Sequence, residues 1–166
     1  MIDFNKDVMP LSNKLYRLAL RMVHNEAEAQ DITQETLIRL WLRRATLNAA
    51  ADAEALGLTV CLNLGKDALS RAGRNYEQID NMDENFAPDS SQNAIDALTA
   101  NDRRNLIREI INRLPPRQRA VVQLRDIEGK SYREIAQLMQ LTEEQVKVTL
   151  FRARQSMKQH AGTLNP

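Results

Sequence analysis

Residues 131–154 read SYREIAQLMQLTEEQVKVTLFRAR and contain two helix-start signals in close succession. Ser131 is followed three positions later by Glu134, and Thr142 is followed three positions later by Gln145. Each pair is a capping box, in which two side chains satisfy backbone N–H groups that the start of a helix leaves unpaired. Two such starts leave room for a helix of about nine residues, a turn of about three, and a longer second helix. This layout predicts a helix-turn-helix.

Apolar residues in this stretch follow the spacing that the two predicted helices need. The positions expected to form a core are Ile135, Ala136, Met139, Leu141, Val146, Leu150, Ala153 and Met157. The opposite face of the second helix then carries Glu144, Lys147, Val148, Phe151 and Gln155, flanked by Arg152 and Arg154.

Val148 and Phe151 are apolar side chains on the predicted outer face of a basic helix, where polar residues would be expected. Val148 and Phe151 fit a DNA-reading helix, because apolar groups can contact thymine methyls while Lys and Arg reach phosphates or guanine edges. A helical hairpin whose second helix packs against another protein is the alternative that this pattern leaves open.

The composition of the 166-residue chain favours helices throughout. Apolar residues make up 43% and charged residues 27%, as in globular proteins, while aromatic residues make up only 4%. Glycine and proline are also scarce, at five each, and Ala, Leu, Gln, Glu and Arg recur. We therefore expect an all-α fold.

The net charge of +1 conceals a segregation of charge along the chain. Residues 1–78 carry ten basic and ten acidic side chains, residues 79–100 carry five acidic and no basic ones, and residues 101–166 carry thirteen basic and seven acidic ones. A basic C-terminal third is typical of a module that binds a polyanion, although a solvated basic helix face gives the same count.

The N-terminal part of the chain predicts three helices. The first ends near His24 and follows the apolar stripe of Leu11, Leu15, Leu18 and Met22. Asn25, with Glu28 three residues on, starts the second helix, which runs to about residue 45. From spacing alone, its outer face is a solvated one with local ion pairs, formed by Asp31, Glu35 and Arg39.

Residues 46–54 are small and polar, and they predict a loop or a frayed helix. A third helix is expected over residues 53–71, with one apolar side formed by Leu56, Val60 and Leu64. Gly57 and Gly65 interrupt it, and each costs about 1 kcal/mol relative to alanine.

The stretch DNMDENFAPDSS at residues 80–91 is acidic and poor in apolar residues, which predicts a flexible connector. Beyond it, an amphipathic helix around residues 106–114 is stopped by Pro115 and Pro116, and a further helix runs from there to the Glu128-Gly129 turn. We therefore expect two small helical domains, residues 1–78 and 101–166, joined by an acidic linker at residues 79–100.

Several classes of protein are disfavoured. The single Cys61 cannot form an intramolecular disulfide, and no secretion signal opens the sequence, which favours a cytoplasmic setting. The apolar stretch at residues 56–64 is too short to cross a membrane. His24 and His160 lack metal-ligand spacing with Cys61, and no phosphate-binding glycine loop is present, so we expect neither an enzyme nor a cofactor.

Two separate parts of the chain resemble domains of the extracytoplasmic-function (ECF) group of bacterial RNA polymerase sigma factors. LPPRQR at residues 114–119, LRDIEG at residues 124–129 and the stretch at residues 131–154 resemble the promoter-binding domain, known as region 4. AQDITQETLIRLW at residues 29–41 resembles the polymerase-binding helix of the N-terminal domain, known as region 2. The resemblance covers nearly the whole chain and implies a factor that directs core RNA polymerase to promoters.

The resemblance also implies roles for individual residues. Those matching the helix that docks on the coiled coil of the largest polymerase subunit are Asp31, Gln34 and Glu35. Asn63 matches an asparagine that holds an unpaired base of the minus-ten element, and residues 46–54 match the loop that pockets the flipped base. Those matching positions that face the minus-thirty-five element are Arg125, Lys147, Val148, Phe151 and Arg152. Small factors of this group are often held inactive by an anti-sigma factor that clamps both domains.

The chain departs from the family pattern at several positions. Glu144, Gln145, Val148 and Thr149 replace residues common in the recognition helix, which predicts an atypical promoter sequence. Leu62 stands where an arginine is common, and Gly57 where an aromatic residue is common. These two departures leave open a sigma-like accessory regulator that binds polymerase or DNA but cannot initiate alone. Asn63 could also be a buried or capping amide.

Overall fold

The computed structural model describes residues 2–74, 76 and 99–164, and these residues form helices and turns without a strand. The predicted all-α fold is confirmed. Apart from residues 99 and 100, the predicted linker lies outside the described residues. The helices are α1 (Ser12–Val23), α2 (Glu26–Leu42), α3 (Ala50–Arg71), α4 (Ala100–Asn112), α5 (Pro116–Val122), α6 (Tyr132–Met139) and α7 (Glu143–Leu164).

Helices α1, α2 and α3 pack against one another as an N-terminal bundle. The predicted break between α1 and α2 is confirmed, because His24 adopts a left-handed conformation with φ 57° and ends α1. The Asn25 side chain then accepts a hydrogen bond of 3.0 Å from the Glu28 backbone N–H and starts α2. Helix α2 ends at Leu42, three residues before the predicted end, and a 3₁₀ turn follows at Arg44–Thr46.

Helix α3 differs from its prediction in its start and in its buried face. It begins at Ala50, three residues earlier than expected, because the Asp52 carboxylate accepts hydrogen bonds from the backbone N–H groups of Asn48 and Ala49. The loop within residues 46–54 is correspondingly shorter. The predicted apolar side is only half-buried, and the buried face is instead formed by Ala53, Gly57, Leu58, Cys61, Leu62, Gly65, Ala68 and Leu69.

The two glycines of α3 are sites of close helix contact rather than helix breaks. A Cβ atom at Gly57 would lie 3.3 Å from the side chains of both Leu15 and Leu40. One at Gly65 would lie 2.7 Å from the Met22 sulfur, inside a normal contact distance. The absence of side chains therefore lets α1 and α2 approach α3, and this packing outweighs the low helix propensity of glycine.

The C-terminal unit follows the predicted order of helices. Helix α4 ends at Asn112, α5 begins at Pro116, and a π-helical turn at Gln123–Ile127 extends it to Glu128. Gly129 has φ +73°, a left-handed conformation that glycine adopts without steric cost, so the chain can turn here.

Both predicted capping boxes are confirmed. Glu134 donates its backbone N–H to the Ser131 hydroxyl at 3.1 Å, and Gln145 donates its own to the Thr142 hydroxyl at 3.0 Å. Between the two helices, Gln140 ends α6 in a left-handed conformation with φ 56°. Most predicted core positions are buried, while Leu141 and Met157 are half-buried. Helices α6 and α7 therefore form the predicted helix-turn-helix.

The two units also pack against each other, mainly through α1 and α5. The Arg119 guanidinium donates to the backbone carbonyls of Arg21 at 2.5 Å, Met22 at 2.6 Å and Leu114 at 2.7 Å. Two of these carbonyls belong to the last turn of α1, where helix carbonyls lack intrahelical partners. Burial, and to a smaller extent the charge of nearby Arg74, lower the pKa of Arg119 to about 10, so the side chain stays charged at neutral pH.

Ion pairs surround this interdomain contact. Glu54 of α3 lies 2.6 Å from the ammonium groups of both Lys14 and Lys130. Burial raises the pKa of Glu54, but hydrogen bonds from Lys130 and Lys14 bring it below its ordinary value overall. Arg17 pairs with Glu128 at 2.7 Å. Charged and polar contacts between residues far apart in the chain thus join the two units, in addition to a hydrophobic core that they share.

Candidate nucleic-acid interface

The outer face of α7 presents the residues that the sequence placed there. Glu144 and Lys147 are exposed, Val148 is 40% exposed and Phe151 is 55% exposed. Gln155 is the exception, because it is half-buried and its side-chain oxygen is enclosed. The exposed face therefore covers the first turns of α7 and ends before Gln155.

Tyr132, a residue that the sequence analysis did not select, stands between two of the predicted DNA-facing cations. The Arg125 guanidinium lies 4.3 Å from the centre of its ring, and the Lys147 ammonium lies 5.6 Å from it. Arg125 also donates to the Lys130 carbonyl at 2.9 Å. The ring thus holds two cations from different elements beside α7 through cation–π contacts. Only tertiary structure brings these three residues together.

The flanking arginines of α7 differ from each other. Arg154 forms a hydrogen-bonded salt bridge of 2.6 Å with Asp126, and the hydrogen bond to this carboxylate raises the pKa of Arg154. Arg152, which was predicted to face DNA, is half-buried. The α7 face is therefore apolar and acidic along its centre, with cations at its edges.

In the N-terminal unit, the predicted polymerase-facing residues lie on one exposed side of α2. Asp31, Gln34 and Glu35 are all exposed, and Glu35 pairs with Arg39 at 3.1 Å. The same side continues with two large apolar residues that sequence reasoning missed, Ile38 at 47% and Leu42 at 73% exposed. These residues follow Glu35 by three and seven positions, and this helical spacing could have predicted that they share its exposed face. We call Asp31, Gln34, Glu35, Ile38 and Leu42 the α2 stripe.

Asn63 is exposed, so it is not a buried amide. It lines a shallow groove between the end of α2 and the middle of α3, together with Arg39, Leu42, Arg43, Leu56, Thr59 and Val60. The groove therefore combines an amide, two guanidinium groups and apolar walls.

The two family departures in α3 lie in the core rather than in this groove. Leu62 is 1% exposed, and Gly57 is buried against Leu15 and Leu40. An aromatic side chain at position 57 would collide with both leucines. These departures are therefore explained by the packing of the bundle.

In the described ranges, no cluster of His, Cys, Asp and Glu could hold a metal ion. Over the same residues, no helix is both long and apolar enough to span a membrane. Cys61 is buried, and its burial raises the pKa of the thiol to about 12.

These features define a two-unit helical protein of the helix-turn-helix class. Family models match it at both ends: Sigma-70 region 2 over residues 8–75 and Sigma-70, region 4 over residues 104–157. The chain belongs to the ECF group of RNA polymerase sigma factors. Members of this family are transcription initiation factors rather than enzymes.

Curated relatives agree with this family. The chain is 30% identical to the RNA polymerase sigma-H factor of Pseudomonas aeruginosa, over 93% of this chain and 83% of that protein. It is 29% identical to the ECF RNA polymerase sigma factor SigE of Mycolicibacterium smegmatis, over 96% of this chain but only 62% of that longer protein.

A solved structure shares the fold. The sigma factor RpoE of Bartonella quintana, in complex with the anti-sigma factor NepR, matches with a TM-score of 0.70 over 99% of both chains. Its sequence is 21% identical to this one.

Proposed function

We propose that this chain is a sigma factor that binds core RNA polymerase and directs it to specific promoters. The observation that carries the proposal is the presence of two exposed binding surfaces, one in each unit. The α2 stripe and the Asn63 groove lie in the region 2 unit, and the outer face of α7 lies in the region 4 unit. A factor that connects polymerase to DNA needs both.

The region 4 unit supplies the minus-thirty-five contacts in this proposal. Helix α7 enters the major groove with the first turns of its outer face toward the bases. Arg125 and Lys147, held beside Tyr132, contact phosphates and set the position of the helix on DNA. Val148 and Phe151 face the base edges, and Arg152 lies at the flank.

The region 2 unit supplies the polymerase and minus-ten contacts. The α2 stripe docks on the coiled coil of the largest polymerase subunit, and its apolar end supplies area that becomes buried on binding. The Asn63 groove holds an unpaired minus-ten base, with Arg39 and Arg43 close to the strand backbone. An anti-sigma factor that covers these surfaces would block both functions.

The packed arrangement of the two units has to open on a promoter. The minus-ten and minus-thirty-five elements are about 25 base pairs apart, or roughly 85 Å at about 3.4 Å per pair. A folded chain of this length has a radius of gyration of only about 15 Å. The contacts of Arg119 and Glu54 between the units must therefore break before both elements are bound together.

Run-off transcription with purified core enzyme tests the proposal. A sigma factor yields a promoter-dependent transcript, whereas an accessory regulator binds core enzyme and yields none. The burial of Leu62 and Gly57 in the bundle core supports the initiating role, because neither departure removes a group from the Asn63 groove.

Replacing Asp31 with alanine is expected to weaken binding to core polymerase roughly tenfold, or about 1.4 kcal/mol, because an exposed interface charge is lost. Titration of labelled protein with core enzyme measures this loss. Asp67→Ala, which removes an exposed carboxylate from α3, is the matched control. Equal affinities of the two variants would contradict the docking role of the α2 stripe.

Replacing Tyr132 with leucine is expected to weaken minus-thirty-five binding about fivefold, because two cation–π contacts that position Arg125 and Lys147 are lost. Tyr132→Phe keeps the ring and should retain wild-type affinity. Fluorescence anisotropy with a selected duplex measures both variants, alongside their melting temperatures. If the phenylalanine variant bound as weakly as the leucine variant, the ring would not be the positioning element.

A further inference from the structure

Glu54 of the region 2 unit binds one cation from each unit. Its Oε1 atom lies 2.6 Å from the Nζ atoms of both Lys14 in α1 and Lys130 in the region 4 unit. The pair with Lys130 lines a cleft between α3 and α6, where the side chains of Glu54 and Lys130 are only 22% and 17% exposed. Burial lowers the pKa of Lys130, but the hydrogen bond and charge of Glu54 bring it above its ordinary value overall. The ammonium group is therefore charged and bound to Glu54 while the units are packed.

Lys130 lies beside the predicted DNA-facing cations of the helix-turn-helix. It directly precedes Ser131, whose capping box starts α6, and the first helix of a helix-turn-helix crosses the DNA backbone. The Lys130 carbonyl accepts a hydrogen bond of 2.9 Å from Arg125. The Tyr132 ring in turn contacts both Arg125 and Lys147. The backbone of Lys130 is thus fixed next to two cations that contact phosphates in the proposed function.

Separation of the units would affect Glu54 and Lys130 unequally. Glu54 would keep its pair with Lys14, because both residues belong to the region 2 unit. Lys130 would keep a longer contact of 3.6 Å to the exposed carboxylate of Glu134. Exposed ion pairs of this kind contribute little, so Lys130 would become available to another anion.

On a promoter, the anion next to the start of α6 is a DNA phosphate. We propose that Lys130 binds a phosphate of the minus-thirty-five duplex, and that Glu54 occupies Lys130 in place of this phosphate while the two units are packed. Carboxylate and phosphate both present charged oxygens to an ammonium group, and a phosphate at Lys130 would lie close to the like charge of Glu54. The two contacts therefore exclude each other. The inference rests on the proposed promoter binding and adds a competitor for DNA within the chain.

This competition couples DNA binding to the arrangement of the two units. Separation of α3 from α6 releases Lys130, and a phosphate bound to Lys130 disfavours renewed packing by the same factor, because linked equilibria are reciprocal. On a promoter, the units of the holoenzyme are already apart. The chain without polymerase should therefore bind duplex DNA less tightly because of Glu54, whereas the holoenzyme should not be affected.

The test measures binding of a labelled promoter duplex, selected from a random pool by the holoenzyme, to the chain alone and to the holoenzyme. Glu54→Gln removes the competing charge and is expected to raise the affinity of the chain alone about fivefold. The affinity of the holoenzyme should stay unchanged. Asp67→Asn is the matched control, because it makes the same change of charge at an exposed position of α3 and should leave both affinities near wild type.

Variants of the two lysines assign the effect to Lys130. Lys130→Gln is expected to weaken binding by the holoenzyme about threefold and to reduce the slope of log affinity against log salt concentration by about 0.9, as for one phosphate contact. In the Lys130→Gln background, Glu54→Gln should no longer raise the affinity of the chain alone. Lys14→Gln leaves Glu54 bound to Lys130, so it should not raise this affinity either. Melting temperatures check that each variant is folded.

The possible failures are distinguishable. If the holoenzyme selected no sequence, the proposed function itself would be wrong. If it selected one, but Glu54→Gln raised the affinity of the chain alone no more than Asp67→Asn did, promoter binding would stand and the competition would be overturned. Persistence of the gain in the Lys130→Gln background, or an equal gain in Lys14→Gln, would overturn it as well. An unchanged salt dependence of the Lys130→Gln holoenzyme would overturn the phosphate contact.

Discussion

Replacing Arg119 with methionine is expected to lower the free energy of unfolding by about 3–5 kcal/mol and to uncouple the two helical units. Arg119 is 6% exposed, and its guanidinium donates hydrogen bonds to three backbone carbonyls. Methionine fills similar space but donates no hydrogen bond, so those carbonyls lose their partner. Two of them lie at the C-terminal end of α1, where a positive charge also favours the helix dipole.

Urea denaturation followed by circular dichroism measures this effect. The wild-type chain should unfold in one transition, whereas Arg119→Met should show two, because the less stable unit loses its helices first once the units are uncoupled. Arg119→Lys keeps a charge but cannot donate hydrogen bonds to all three carbonyls. Its free energy of unfolding should lie between those of the wild-type chain and Arg119→Met. Arg133→Met, a change at an exposed arginine of α6, should leave the curve unchanged. An unaltered curve for Arg119→Met would show that the contact does not couple the units.

Replacing Leu150 with alanine is expected to destabilise the helix-turn-helix by about 2–5 kcal/mol, because it leaves a cavity in the core. Leu150 is 2% exposed and belongs to the same core as Ile135 and Val146. Loss of this packing frees α7 from α6. DNA binding should then fall together with stability.

Phe151→Ala is the matched comparison, since Phe151 is adjacent to Leu150 but lies on the exposed side of the same helix. It should reduce DNA affinity while changing the melting temperature little, because Phe151 is 55% exposed. Measuring melting temperature and duplex affinity for both variants separates the core side of α7 from its outer side. A large stability loss in Phe151→Ala would contradict this division.

Local sequence patterns predicted most helices because their causes lie within one helical turn. The capping pairs Ser131 with Glu134 and Thr142 with Gln145 formed as expected, each within three residues. The apolar spacing also placed Val148 and Phe151 on the exposed face. Together with the family resemblance, these patterns were sufficient to predict the all-α fold and the recognition helix.

Predictions failed where packing between helices outweighed local preference. The spacing of leucines in α3 predicted the wrong buried face, because α1 and α2 pack against the side that contains Gly57 and Gly65. Gln155 continues the outer pattern of α7 but is half-buried. Local spacing identifies which residues share a face, but not which face meets a neighbouring helix.

The sequence by itself therefore determined the caps, the amphipathic helices and the position of the helix-turn-helix, since these depend on neighbours three or four residues apart. Only the tertiary structure placed Tyr132 between Arg125 and Lys147, and Arg119 against carbonyls 97 and 98 residues away. Such contacts depend on the relative positions of separate helices. Those positions come from the packing of the whole core, which no local pattern specifies.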